Sequence, residues 1–174
     1  MPIATKTTAH FNVSTLAAPT AAYTVGSDVG VPTGTTLPTR TSLGSPTATG
    51  ASYILTNPVT SDTNTRSYNV YRDLRFTNTI TPAAGSPTTP IRFDRCRFEG
   101  QGNWCVEVDA TGRSSDIMTP LVVFTNCEFY GADNTSKGLL GGTCWVIDCD
   151  MRNSEDGWSG WFYNVGIRSN FAGY

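Results

Sequence analysis

One short pattern is written four times between Val70 and Asn153, as VYRDLRFTN, RFDRCRFEG, VFTNCEFYG and VIDCDMRN. The copies align on Leu74, Cys96, Cys127 and Cys149, here called the anchor position, with spacings of 22, 31 and 22 residues. Three residues before the anchor stand Tyr71, Phe93, Phe124 and Val146, and two after it stand Phe76, Phe98, Phe129 and Met151. One residue before the anchor the set is polar throughout: Asp73, Arg95, Asn126 and Asp148. A unit this short cannot bury its own apolar face, so the pattern points to stacked repeats in which each covers its neighbour.

The pattern also says how each unit is built. The anchor and the residue two beyond it share one side of a strand, because side chains alternate along an extended chain. The residue three before the anchor would face the other side of an unbroken strand. The polar residue between therefore marks a bend and the start of a second short strand. A third strand is expected at Trp104–Val108, where Trp104, Val106 and Val108 alternate with Cys105, Glu107 and Asp109. Short strands joined by a corner, with a looser return path, describe one coil of a β-solenoid. Stacking then sets a Leu/Cys column beside a Phe/Met column. The stretches 79–89, 110–119 and 132–142 vary in composition, and solenoids place such insertions on one face. Gly166–Phe171 (GIRSNF) reads as the opening of a fifth coil. From this we expect either a longer polypeptide, of which these residues are the N-terminal part, or partner chains covering the open end.

Composition agrees with an all-β chain. Charged residues make up 15%, and 17 Gly and 10 Pro suit turns and short strands, not helices. No stretch carries sustained helical periodicity. The net charge of −2 and the lack of a Lys/Arg cluster argue against a nucleic-acid partner. No apolar run approaches 18 residues, so no membrane partner is expected, and Lys6 is followed by no apolar signal segment. Synthesis in the cytoplasm, with five reduced cysteines, follows as the expectation. There is no CxxC pair or nearby histidine to suggest a metal or other cofactor, so Cys96, Cys127 and Cys149 read as small hydrophobes in a core.

Residues 1–65 have a different texture. They hold 17 Thr and six of the Pro, while only Lys6, Asp28, Arg40 and Asp62 are charged. Short apolar groups at 11–13, 21–25 and 53–55 are separated by Thr/Pro/Gly runs. Such a segment buries too little to order itself and must lie against something else. The division is thus an extended N-terminal arm over 1–65 and β-solenoid coils over 66–174. The arm reads foremost as an anchor on a larger assembly, with a linker or a cap on the solenoid as alternatives.

Segments such as VVFTNCEFYG and TCWVIDCDMRNSEDGWSG resemble coils of right-handed parallel β-helices of the pectin-lyase-like kind. Upstream, VGVPTGTTL (Val29–Leu37) is similar to a lead-in found before such helices in minor tail and fibre proteins of bacteriophages infecting actinobacteria. The resemblance runs loosely from Val25 to the C-terminus. It implies a homotrimeric structural protein of the virion, docked by its arm at the tail or on the capsid surface as a fibre or decoration. Adhesion to a host-surface polysaccharide would go with such a place.

Pectin-lyase-like helices also host glycoside hydrolases and lyases, so a polysaccharide-degrading spike is the first alternative. Paired carboxylates are its requirement. Candidates are Glu107 with Asp109, Asp148 with Asp150, and Glu155 with Asp156. Residues two apart on one strand share a face at about 6.5–7 Å, a separation that suits an acid/base pair. The same spacing occurs on the wet side of any strand. The Gly-His-Gly turn of such hydrolases is missing, since His10 lies outside the coils. Catalysis within these residues is therefore not favoured, with Asp148 and Asp150 the best candidates for it. The second alternative is a carbohydrate-binding module using the aromatic group Trp158, Trp161 and Tyr163, whose ring faces could stack on sugars.

Overall fold

The computed structural model describes residues 23–56, 63–82, 90–99, 104–107, 120–130, 137–141, 144–154, 158–160 and 165–173. No helix occurs among them; every element is a strand. Two strands come first, β1 (Thr39–Arg40) and β2 (Ala48–Thr56). The first repeat then supplies β3 (Thr63–Arg72) and β4 (Arg75–Phe76), and the second supplies β5 (Ile91–Asp94), β6 (Arg97–Phe98) and β7 (Trp104–Glu107). The third follows with β8 (Val122–Thr125), β9 (Glu128–Tyr130) and β10 (Lys137–Gly141), and the fourth with β11 (Cys144–Ile147), β12 (Asp150–Ser154) and β13 (Trp158–Gly160). A fifth pair, β14 (Val165–Ile167) and β15 (Asn170–Gly173), continues the series, as GIRSNF suggests.

These strands fall into three sheets that the chain visits in turn. The first has the order β14-β11-β8-β5-β3-β2, the second β1-β4-β6-β9-β12-β15 and the third β13-β10-β7. Pairing is parallel everywhere except between β2 and β3. In the first repeat an isolated parallel bridge from Ile80 to Val106 takes the place of a third strand. Register follows the repeat alignment residue for residue. Tyr71 pairs Phe93, Phe93 pairs Phe124 and Phe124 pairs Val146. Phe76, Phe98, Phe129 and Met151 pair in the same way one strand further on.

The two apolar columns meet inside. Phe76, Phe98 and Phe129 stack at 5.3 and 5.0 Å between ring centroids, and Tyr71, Phe93 and Phe124 stack at 5.3 and 5.2 Å. Between the columns the rings meet edge to face, Phe93 with Phe98 at 5.2 Å and Phe124 with Phe129 at 5.2 Å. Both arrangements suit the ring quadrupole. The anchor column lies beside them, with Cys96, Cys127 and Cys149 fully buried and unpaired as disulfides. The Cys96 thiol donates to the Tyr71 carbonyl (3.3 Å) and that of Cys149 to the Ile147 carbonyl (3.2 Å). Burial pushes the Cys96 and Cys127 thiols far above the usual range, as expected of inert core sulfur. A second cluster, Leu55, Tyr68, Val70, Val123 and Trp145, is buried separately from this core.

The bend before each anchor has one backbone form. Asp73, Arg95, Asn126, Asp148 and Arg168 all adopt positive φ, between 42° and 54°. Turning there brings residues on both sides of the corner into one core, which an unbroken strand would set on opposite faces. At the third strand the expected alternation fails. Cys105 and Val106 are both buried in the main core, and the Cys105 thiol lies 3.8 Å from the Tyr130 carbonyl.

The segment 23–56 lies against the repeats. A turn at Thr24–Val29 is closed by the Gly26 N–H on the Val29 carbonyl (2.8 Å), and Asp28 accepts from the Thr24 N–H (2.9 Å). The chain then crosses the outside of the second sheet as a strap. Gly30 N–H donates to the Asp148 carbonyl (2.8 Å), Val31 N–H donates to Glu128 Oε1 (3.2 Å), and Val29 and Val31 are buried. Past the strap, β1 joins the sheet edge beside β4, and Leu43 packs against the end of the core.

Phe98→Ala or Phe129→Ala should each cost about 3–5 kcal/mol in urea unfolding, the usual range for a buried aromatic. A loss below about 1 kcal/mol at both would contradict the stacked register. The strap gives a second expectation. Gly30 and Gly34 both have positive φ, but a Cβ at Gly30 would sit 3.0 Å from Glu128 Cγ, while one at Gly34 would meet nothing within 4 Å. Gly34→Ala should carry the backbone cost alone, about 1–2 kcal/mol, and Gly30→Ala measurably more. Equal losses in thermal unfolding would mean that the strap does not rest on Glu128.

Candidate functional site

On β4, β6, β9 and β12 the residues that alternate with the buried Phe/Met column face outward. They are Arg75, Arg97, Glu128 and Asp150 in one register row and Tyr130 and Arg152 in the next, with Glu99 just past the end of β6. Opposite charges pair across and along the strands. Arg75 Nη2 lies 2.5 Å from Glu99 Oε2, Arg97 Nε 2.7 Å from Glu128 Oε2, and Arg152 Nε 2.5 Å from Asp150 Oδ2. Glu128 and Asp150 are buried, and a buried carboxylate needs such a partner. Glu128 has a second task, because its other oxygen receives the strap through Val31 N–H.

Strap and sheet do not close completely on one another. A cleft of about 650 Å³ lies between them. Val31–Thr35 contribute one wall, and Arg75, Arg97, Glu99 and Glu128 line it from the sheet side. Tyr130 and Arg152 also border the cleft, with the Arg152 guanidinium carbon 5.9 Å from the Tyr130 ring centroid. Tyr130 is 40% exposed, unusual here for an aromatic side chain.

The corner residues form a further polar row. Arg95 donates through Nε and Nη2 to the two oxygens of Asp73 (2.7 and 2.8 Å), and Arg168 does the same to Asp148 (2.6 and 2.7 Å). Such two-point pairs are the stronger geometry for guanidinium and carboxylate.

Of the carboxylates expected for acid/base work, Asp148 and Asp150 do not lie on one strand. Asp148 occupies a corner with φ of 52°, and Asp150 begins the strand beyond it. Because Asp148 is the corner residue itself, the period-two spacing of a single strand does not apply to the pair. Asp148 is held by Arg168 and Asp150 by Arg152. Glu107 is exposed, while Asp109, Glu155 and Asp156 lie outside the described residues. Of the aromatic group, Trp158 stands in β13 in the register row of Leu139 and Val106, and Trp161 and Tyr163 lie outside the described residues. Among the described residues no group of three or more His, Cys, Asp or Glu is placed to hold a metal ion.

The charged rows were present in the alignment one and three residues after the anchor. The strap was not foreseeable as a wall, because it docks through backbone N–H groups that leave no side-chain signature. Comparison with protein-family models, with curated proteins and with solved structures found no match to this chain.

The Asp73–Arg95 pair predicts an acid limb of stability. Hydrogen bonds from Arg95 hold the Asp73 carboxyl below its usual range, with burial opposing. A carboxyl lowered in the folded state contributes stability that is complete above its unfolded value, near 3.9, and is lost as pH falls through the folded value. The urea midpoint should therefore drop on acidification below about pH 4, and Asp73→Asn should flatten that drop. An unchanged acid limb in the variant would remove Asp73 from this role.

Proposed function

We propose that this chain is a structural protein of a bacteriophage virion: a short right-handed parallel β-helix, assembled as a homotrimer, that serves as a fibre or spike. Its N-terminal arm, residues 1–65, would attach it to other virion proteins at the tail or on the capsid surface, and the helix would present a surface for host adhesion. The observation that carries this reading is the column of five like corners and stacked rings, which extends parallel sheets by repetition. Repetition of that kind makes a stiff rod whose length grows with the number of repeats. The resemblance of Val29–Leu37 to the lead-in of phage tail and fibre proteins supports a virion setting.

A polysaccharide-degrading spike is the competing reading. It is weakened by the pairing of Asp148 and Asp150 with separate arginines, since an acid/base pair needs carboxylates that address one substrate.

Quantitative mass spectrometry of the purified particle tests the proposal. Few copies per particle, in multiples of three, would place the protein at the tail, and tens to hundreds would make it a capsid fibre or decoration. Absence from any particle would overturn the virion reading. Glycan cleavage by the purified chain, abolished by Asp148→Ala and Asp150→Ala without loss of fold, would instead establish the enzyme.

A further inference from the structure

We propose that the cleft between the Val31–Thr35 strap and the second sheet binds a neutral saccharide, with Tyr130 as the stacking surface. The inference rests on the adhesion part of the function proposed above and builds its site from residues other than Trp158, Trp161 and Tyr163. Four observations converge on this chemistry.

The first is size. About 650 Å³ falls within the range of small-ligand sites and leaves room for a short run of sugar rings. The second is charge balance. Three arginines (Arg75, Arg97, Arg152) and two glutamates (Glu99, Glu128) line the cleft. An anion would meet the carboxylates and a cation the guanidinium groups. A hydroxyl both donates and accepts, so a neutral polyol can use both kinds of group.

The third is that these groups are already held in place. Arg97 is fixed by Nε on Glu128 (2.7 Å) and lies 3.9 Å from Glu99 through Nη1. A guanidinium carries five N–H donors in a rigid fork, so donors remain for a ligand at little further ordering cost. The fourth is Tyr130. Among the described residues it and Ile54 are the exposed large hydrophobic side chains, and Tyr130 borders the cleft. A partly exposed aromatic side chain bordering a cleft of fixed polar groups suits a sugar ring, which has an apolar face and a polar edge.

Isothermal titration calorimetry on the full chain tests the site, with maltohexaose, cellohexaose and hexagalacturonate as probes. We expect a neutral hexasaccharide to bind, Tyr130→Ala to weaken it about tenfold, and Tyr130→Phe to keep it within about threefold. Tyr130 is partly exposed, so the melting temperature of both variants should match the wild type. No binding by any probe, binding confined to hexagalacturonate, or binding unchanged in Tyr130→Ala would each overturn the site. Loss in Trp158→Ala or Trp161→Ala but not in Tyr130→Ala would overturn it too, and would leave adhesion standing at the aromatic group. The particle census judges the virion reading independently of all these outcomes.

Discussion

At the Arg95 and Asn126 corners of this protein one backbone N–H points forward to the next repeat and one just past the corner points back. Arg95 N–H reaches the Thr125 carbonyl (2.9 Å) and Asn126 N–H the Ile147 carbonyl (3.0 Å), while Glu128 N–H returns to Cys96 and Asp150 N–H to Cys127 (both 2.9 Å). A slip of one residue would break these bonds and turn both ring columns out of the core. The left-handed corner therefore fixes register for the sheets on either side of it, and ring stacking, the thiol column and the outer charge rows all inherit that register.

Holding a non-glycine residue in this conformation costs about 1–2 kcal/mol. An exposed ion pair returns at most about 1 kcal/mol, so the pairs Asp73–Arg95 and Asp148–Arg168 do not explain the corners by themselves. Two interrepeat hydrogen bonds, at roughly 0.5–1.5 kcal/mol each, together with the rings on either side, are the larger offset. The ion pairs act on orientation, joining Asp73 to Arg95 and Asp148 to Arg168 on either side of the neutral Asn126.

How much of this was legible in the residues follows from what leaves a mark on them. Phe93 and Phe98 are buried on either side of a polar residue, and their spacing reveals a bend because an unbroken strand could not bury both. Stacking of identical positions makes the columns visible in an alignment, down to Gly166–Phe171. The same polar position marks Asp148 as the corner itself, so its two-residue spacing from Asp150 does not put the pair on one strand face. One feature left no such mark. The strap rests on Gly30 and Val31 amides, and backbone donors are the same in every residue. Its one sequence trace is Gly30 itself, where positive φ and the nearness of Glu128 both call for a residue without a side chain.

The strap also imposes an order on assembly. Val31 meets Glu128 across 97 residues of chain, and Gly30 meets the carbonyl of Asp148 further on still. During synthesis the strap emerges before its docking surface, so it has nothing to dock on until the third and fourth repeats exist. Contacts of such high sequence separation carry a large loop-closure cost and form late in folding. Growth of the repeats can proceed by short steps, each using the repeat before it as a template. The strap then closes over the finished face, and until it does Glu128 lacks the amide that it receives in the folded chain.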